Sequence, residues 1–264
     1  MAQGIPERPC AVEFRIRQQQ GHTKRTEMSK QVHAMFSRIA TRYDRANRWM
    51  SFGTDQGVRR RAVAMSGIRP GDALLDCAAG TGDLTLLFHD AMNGRGRVVG
   101  TDFNADMLSL AEAKSRDRSA DIEWRVADSQ DLEFGDESFD VVSIAYGIRN
   151  VDDPHRALRS MHRVLKPGGR LVVLEFGQPP MLLKPFYFIY NRLIIPLIGG
   201  LAGGDRDAYR YLQRTSDSFP YGREFVDMMR ANGDFDDIRV KPVALGVNYI
   251  YVGTRKEPVD PAVS

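Results

Sequence analysis

Cysteine is scarce in this chain of 264 residues: Cys10 and Cys77 are the only two, so no disulfide framework can organise the fold. A reducing, cytoplasmic setting is the expectation. Long apolar runs are also missing. The most apolar stretch, 182–204, is broken by Lys184, Pro185, Arg192 and Pro196, short of the roughly 18 apolar residues a spanning helix needs. No apolar signal region opens the chain. A strong excess of one charge is absent too: the net charge is +3, and the first 30 residues, with six basic and three acidic side chains, carry all of it. The 31 basic and 31 acidic residues that follow cancel, which leaves no broad field to steer a polyanion and disfavours nucleic acid as a partner. A local run survives at Arg59, Arg60 and Arg61, read as a solvated helix face, with phosphate or anionic lipid as the alternative. The five histidines do not join cysteines or carboxylates at metal-ligand spacing, so no metal site is expected.

What is present is an ordinary globular composition, 42% hydrophobic and 27% charged, enough to build a core and too apolar for wholesale disorder. Residues 1–28 have no sustained period and are expected to form a flexible basic extension. A domain over 29–256 follows, then a tail, 257–264. After Ser29, residues Val32, Met35, Phe36 and Ile39 fall at helical spacing, and a second helix is expected over 55–65, stopping near Gly67 and Pro70. Strand-like runs at 73–77, 97–101, 122–126, 139–145 and 170–176 then alternate with helical patterns at 83–92, 104–114 and 154–165. That alternation marks βαβ units, hence an α/β fold with a doubly wound, mostly parallel sheet. Two further runs, 235–243 and 246–254, are joined tightly enough to pair antiparallel and close one edge of a seven-stranded sheet. The insertion between them and the fifth strand, 178–233, is expected as a helical lid.

Chemistry concentrates at Leu74-Leu75-Asp76-Cys77-Ala78-Ala79-Gly80-Thr81-Gly82-Asp83-Leu84, where the first parallel strand turns into a helix. Gly80 and Gly82 permit a sharp turn and close approach to a ligand, and a helix start at Asp83 offers free N–H groups. Asp102, at the end of the second strand, is placed to accept hydrogen bonds from ribose hydroxyls. Asp128 and Ser129, at the end of the third, are placed to meet an adenine edge. Thr85 stands where the dinucleotide fingerprint needs its last glycine, which disfavours a nicotinamide dehydrogenase. An acid at one strand end often serves only as a cap. A succession of them after consecutive strands favours an adenosine ligand without a pyrophosphate.

These residues are joined by Tyr43-Asp44-Arg45-Ala46-Asn47, Met50-Ser51-Phe52-Gly53, Tyr146-Gly147-Ile148-Arg149-Asn150-Val151 and Arg163-Val164-Leu165-Lys166-Pro167-Gly168-Gly169-Arg170-Leu171, then by Leu174-Glu175-Phe176 and Asp207-Ala208-Tyr209-Arg210-Tyr211-Leu212. In this pattern, from about residue 32 to 256, the chain resembles the ubiquinone/menaquinone biosynthesis C-methyltransferase family of class I S-adenosylmethionine-dependent methyltransferases. The KPGG turn is shared by many methyltransferases, whereas the YDxxN and GIRN segments are specific. The resemblance implies a Rossmann-like fold and S-adenosylmethionine as cofactor. It implies a prenylated quinol as substrate, a demethylmenaquinol or a 2-methoxy-6-polyprenyl-1,4-benzoquinol. By the family pattern Thr81, Asp102, Asp128 and Ser129 contact the cofactor and position 145 lies in its site; Asp76, Gly80, Gly82 and Met107 are expected to border it as well. Arg149, Asn150 and Tyr43 are the expected catalytic residues. Ala145 departs from a family serine, and Asp234-Phe235-Asp236-Asp237 departs from a family Gly-Phe.

Methylation at carbon needs an electron-rich ring, which a quinol becomes when one hydroxyl ionises. Arg149 is expected to stabilise that phenolate, with a structural salt bridge to a strand-end acid as its alternative. Asn150 would orient the ring oxygen or a water, and Tyr43 with Asp44 would help close the site. His155 is the histidine weighed as a base, against a solvated helix start. Leu182, Leu183, Phe186, Tyr187 and their neighbours in the insertion are read as lining a channel for an isoprenoid tail or lying against a membrane surface peripherally, with core packing of a helical lid as the alternative for the same residues. A homodimer is left open. The competing readings are a methyltransferase acting on another small aromatic or polyketide-like acceptor, which Ala145 keeps alive, and a module that binds cofactor without turnover.

Overall fold

Apolar strands buried on both faces need helices above and below them, and the computed structural model of the chain has that arrangement. It describes residues 53–179 and 218–258, with the single positions Ala34, Ser37, Arg48, Met181, Thr215 and Ser216. The expectations for the 1–28 extension, Tyr43 and the apolar stretch 182–204 lie outside the described residues. The elements run α1 (Asp55–Ser66), β1 (Ala73–Cys77), α2 (Asp83–Ala91), β2 (Arg97–Asp102), α3 (Ala105–Asp117) and β3 (Glu123–Val126). They continue with β4 (Phe139–Ala145), α4 (Pro154–Val164), β5 (Leu165–Phe176), α5 (Arg223–Asn232), β6 (Phe235–Val243) and β7 (Asn248–Arg255). The sheet has seven strands in the order β3-β2-β1-β4-β5-β7-β6. Pairings from β3 through β5 are parallel, and β7 is antiparallel to both its neighbours.

Alternation along each central strand explains the two-sided burial. Leu75, Cys77, Val142, Ile144, Leu171 and Val173 point to one face, where Leu158 and Met161 of α4 and Phe225 and Met229 of α5 cover them. Leu74, Val141, Val172 and Leu174 point to the other, under Val58, Ala62 and Val63 of α1 and Leu84 and Phe88 of α2. Each such side chain contributes about 1.5–3 kcal/mol when taken out of water. Helix ends follow local chemistry. Asn104 caps α3 by accepting from the Asp106 and Met107 amides, Asp153 caps α4 through the Arg156 amide, and α1 stops at Gly67 in the left-handed region.

The last two strands pair antiparallel and close one edge of the seven-stranded sheet, as the pattern predicts: β7 is the reversed strand, seated between β5 and β6, and β6 forms the edge. A hairpin explains this: β7 is the more buried partner, and β6 carries mostly exposed residues with Pro242 among them, as an edge strand can. The last part of the 178–233 insertion packs into the core: α5 lies on α4 and buries Phe225 and Met229 completely. The fifth strand begins at Leu165 rather than 170, with a register shift opposite β4 and a left-handed Gly168 within it.

Candidate active site

The turn after β1 passes through Ala78, Gly80 and Gly82, all at positive φ, before entering α2. This folds the 78–82 loop over the end of β2, where Gly80 N donates to Asp102 Oδ2 at 2.8 Å and Asn104 N donates to Asp102 Oδ1 at 2.9 Å. Ala79 N reaches Thr101 O, and Ala127 N reaches Asp102 O at 3.1 Å, which draws the loop after β3 to the same place. Met107 completes the floor: its Cε lies 3.6 Å from where a Cβ on Gly80 would sit. Ser129 is buried beside the exposed Asp128, whose carboxylate accepts from the amide and side chain of Gln130. The structure thus brings Gly80, Asp102 and Met107 into one cradle, with Asp128 and Ser129 on the adjoining loop. Thr81 is buried beside it and accepts from Lys114 Nζ at 3.0 Å, and Lys114 also pairs with Asp83 at 2.7 Å.

Two of the expected contacts do other work. Asp76 lies one layer below the loop, 1% exposed, with Ser143 Oγ donating to Oδ1 and Thr85 Oγ1 to Oδ2, both at 2.6 Å. It ties β1 to β4 and α2, which is why Thr85 replaces a glycine. Gly82 is small for packing: a Cβ there would meet the Trp124 ring at 2.7 Å and Ala111 at 3.0 Å. Burial pushes the carboxyls of Asp76 and Asp102 up to about 6 against the hydrogen bonds that lower them. An adenosine fits this donor set, since the Asp102 oxygens keep a lone pair each for ribose hydroxyls beside a glycine turn.

The reacting end forms where β4 stops. Ala145 is partly exposed and Tyr146 follows at φ 54°, a left-handed conformation unusual for a bulky residue. Tyr146 is held on three sides: its N–H donates to Leu174 O, its hydroxyl donates to Asn248 Oδ1 at 2.9 Å, and its ring lies 4.6 Å from that of Phe176. The turn aims the Tyr146 carbonyl at two donors, Arg149 Nη1 at 2.8 Å and Asn150 Nδ2 at 3.1 Å. Arg149 also forms a 2.5 Å ion pair with Glu175, and the two side chains are 3% and 2% exposed. The alternative of a salt bridge to a strand-end acid is therefore realised, yet it leaves capacity over. Arg149 Nε, Asn150 Oδ1 and Glu175 Oε2 are buried without a hydrogen-bond partner, three of five such atoms among the described residues. A group in that state costs about 1–3 kcal/mol, so these three atoms leave donor and acceptor capacity for a polar group or a water at one place.

Some functional positions were not legible. Glu175 sits in a quoted motif but carried no assigned role. Arg59 was read within a solvated run, whereas it is 8% exposed, paired to Asp55 at 2.9 Å and placed 5.6 Å from the Tyr146 ring centroid. Arg60 and Arg61 do face solvent. His155 engages Asn232 of α5 at 2.7 Å, a contact between α4 and α5. Asn104 Nδ2 donates to Ser37 at 3.0 Å, which fixes one point of the N-terminal segment beside the cradle. No group of three potential metal ligands occurs among the described residues, and no described helix is long and apolar enough to cross a membrane.

Known proteins are similar to this chain in sequence and in fold. The ubiquinone/menaquinone biosynthesis C-methyltransferase UbiE of Bdellovibrio bacteriovorus is 43% identical over 226 residues, spanning 85% of this chain and 96% of that protein. The demethylmenaquinone methyltransferase of Thermus thermophilus is 43% identical over 222 residues, 84% of this chain and all of its own length. Among solved structures, Haemonchus contortus phosphoethanolamine N-methyltransferase 2 in complex with S-adenosyl-L-methionine matches the fold at a TM-score of 0.61 and 15% identity, over 86% of this chain and 60% of that one. The family model of the ubiE/COQ5 methyltransferases matches residues 23–255, across every strand and both halves of the site. On that match and those identities, the chain belongs to the ubiE/COQ5 methyltransferase family.

Proposed function

We propose that the protein transfers the methyl group of S-adenosylmethionine to a ring carbon of a prenylated quinol, either a demethylmenaquinol or a 2-methoxy-6-polyprenyl-1,4-benzoquinol. The names of the curated relatives support the substrate class. The observation that carries it at this site is the buried cluster of Arg149, Asn150 and Glu175 with unpartnered atoms. When bound, the cofactor supplies a methyl already activated on its sulfonium. Asp102 accepts from the ribose hydroxyls, Asp128 and Ser129 border the adenine, and Gly80 and Met107 form the floor beneath them. Thr81 lines the same loop and Ala145 the side towards the acceptor. Asp76 and Gly82 support the cradle from behind.

At the ring, Arg149 Nε donates to one quinol oxygen and favours its ionised form, which raises electron density at the neighbouring carbon. Asn150 Oδ1 accepts from that hydroxyl or a water bound to it. Glu175 holds the guanidinium in place, and Tyr43 closes the site from the N-terminal segment. The apolar part of the insertion meets a membrane surface peripherally, where such a substrate resides. A second reading, another small aromatic acceptor, rests on the missing hydroxyl at Ala145.

A transfer assay with labelled S-adenosylmethionine tests the reading, with reduced demethylmenaquinone and the benzoquinol offered in parallel. Turnover of one quinol, lost in Arg149→Ala, is expected. Saturable cofactor binding with no turnover of either would sink it.

A further inference from the structure

Ionising a quinol hydroxyl at Arg149 releases a proton that some group must accept. Of the three residues with buried, unpartnered atoms there, Arg149 keeps its own proton at any working pH, and the Asn150 side-chain amide accepts a hydrogen bond but not a proton. Glu175 is the one of the three that can take it. Its two oxygens are used differently: Oε1 accepts from Arg149 Nη1 and from the Phe176 amide at 2.8 Å, while Oε2 is buried with no partner. The other two buried carboxylates among the described residues differ in this respect. Asp76 and Asp102 have both oxygens hydrogen-bonded within the protein.

The backbone fixes this carboxylate against the ring site. Ala145 pairs with Leu174 across β4 and β5, and the Tyr146 N–H donates to Leu174 O, so Glu175 and the turn that carries Arg149 are held in register on paired strands. Burial raises the Glu175 carboxyl above its ordinary value against the pull of Arg149. A carboxylate so raised is a stronger base for a phenol proton. Beyond Arg149, the titratable groups that feel the Glu175 charge are Tyr146 and Tyr251, and burial pushes both hydroxyls up, further from the carboxyl's range.

We propose that Glu175 is the general base of the reaction: its Oε2 takes the proton of the quinol hydroxyl, directly or through one water. The inference rests on the quinol reading above. The O–H electron pair stays on the ring oxygen, and the ring carbon's pair forms the bond to the methyl while the pair of the broken carbon–sulfur bond stays on sulfur. That carbon's own hydrogen then leaves as a proton to water and Glu175 returns its proton to the oxygen, so one proton is released overall. Arg149 faces one negative charge before and after the first transfer, on Glu175 and then on the quinolate, so no net charge is added to the buried site.

The test pairs the demethylated quinol with a counterpart fluorinated away from the methylated carbon, whose more acidic hydroxyl needs a base less. Glu175→Gln keeps the shape and the acceptor for Arg149 and removes the base. Its kcat on the quinol should fall about a hundredfold or more, the usual contribution of a general base, and the fluorinated ring should recover most of that loss. A loss of equal size on both rings means that Glu175 only positions Arg149, and overturns the proposal. A second measurement does not depend on how the variant folds. In the wild type, kcat should fall with decreasing pH along a limb that stands at the same pH for both rings, because the titrating group belongs to the protein. A limb that moves with the acidity of the ring hydroxyl, or that does not appear, also overturns the proposal. These outcomes leave the quinol reading intact, whereas wild type that methylates neither ring defeats that reading and this inference with it.

Discussion

Burial pushes the Asp102 carboxyl up to about 6, from an ordinary value of 3.8, even though the amides of Gly80 and Asn104 hold it down. Ribose hydroxyls donate to the ionised form, so cofactor affinity should be flat above about pH 6 and fall by about tenfold per unit below it. Titration calorimetry across pH 5 to 8 checks this. Asp102→Asn should weaken binding and flatten the profile; a midpoint that persists in the variant would assign it elsewhere, with Asp76→Asn as the comparison. The effect on folding has the opposite sign. A carboxyl raised in the folded state favours the protonated fold, so the contribution of Asp76 and Asp102 is full below their ordinary value and lost as pH rises through about 6. Arg149 and Glu175 make a sharper case. Arg149→Ala leaves the Glu175 charge buried and unpaired, which should cost about 3–5 kcal/mol in denaturant unfolding. The double variant Arg149→Met with Glu175→Leu should recover most of that stability without activity. Recovery of methyl transfer along with stability would show that the pair is structural only.

At the level of elements, the strands buried on both faces were legible because their apolar runs are bounded by turn residues. Four of the seven, β1, β2, β4 and β6, begin at the residue the pattern gives. Less legible was anything set by a partner far along the chain. The sequence mark of Gly82 is the same whether a ligand or the Trp124 ring excludes its Cβ, and only the α3–β3 packing decides between them. Arg59 reads like Arg60 and Arg61 until the register of α1 turns it alone towards Tyr146. The role of α5 was hidden by the apolar insertion before it. Two predictions belong here. Gly82→Ala should lower stability by about 1–2 kcal/mol from the left-handed backbone alone and by more from the clash. In a Trp124→Leu background the clash portion should vanish, and strict additivity of the two substitutions would contradict the packing account. Met229→Ala, in a helix read as lid, should cost about 2–5 kcal/mol, as a core methionine does. A change near zero would return α5 to the lid.

Over the whole molecule, the strand order places β1 between β2 and β4, so the chain leaves β1 towards one side of the sheet and β4 towards the other. Loops diverge at that point, and the crevice between them takes the ligand. The cradle after β1 and β2 and the Arg149 cluster after β4 lie on the loops at that crevice, and in the proposed reaction one would hold the cofactor and the other the acceptor. Cofactor at about a hundredfold above its Kd should therefore stabilise the whole domain by about 2.7 kcal/mol and raise Tm by about 5–10 °C. No shift at saturation would mean that the cradle is empty of function. The central claim is narrower, that the methyl is delivered to ring carbon. Its most direct measurement uses cofactor labelled with carbon-13 in the methyl group, the reduced prenylated quinol, and NMR of the product. The account predicts a carbon-bound aryl methyl resonance and no label at oxygen. A methoxy resonance, or label that stays on the cofactor, would contradict it.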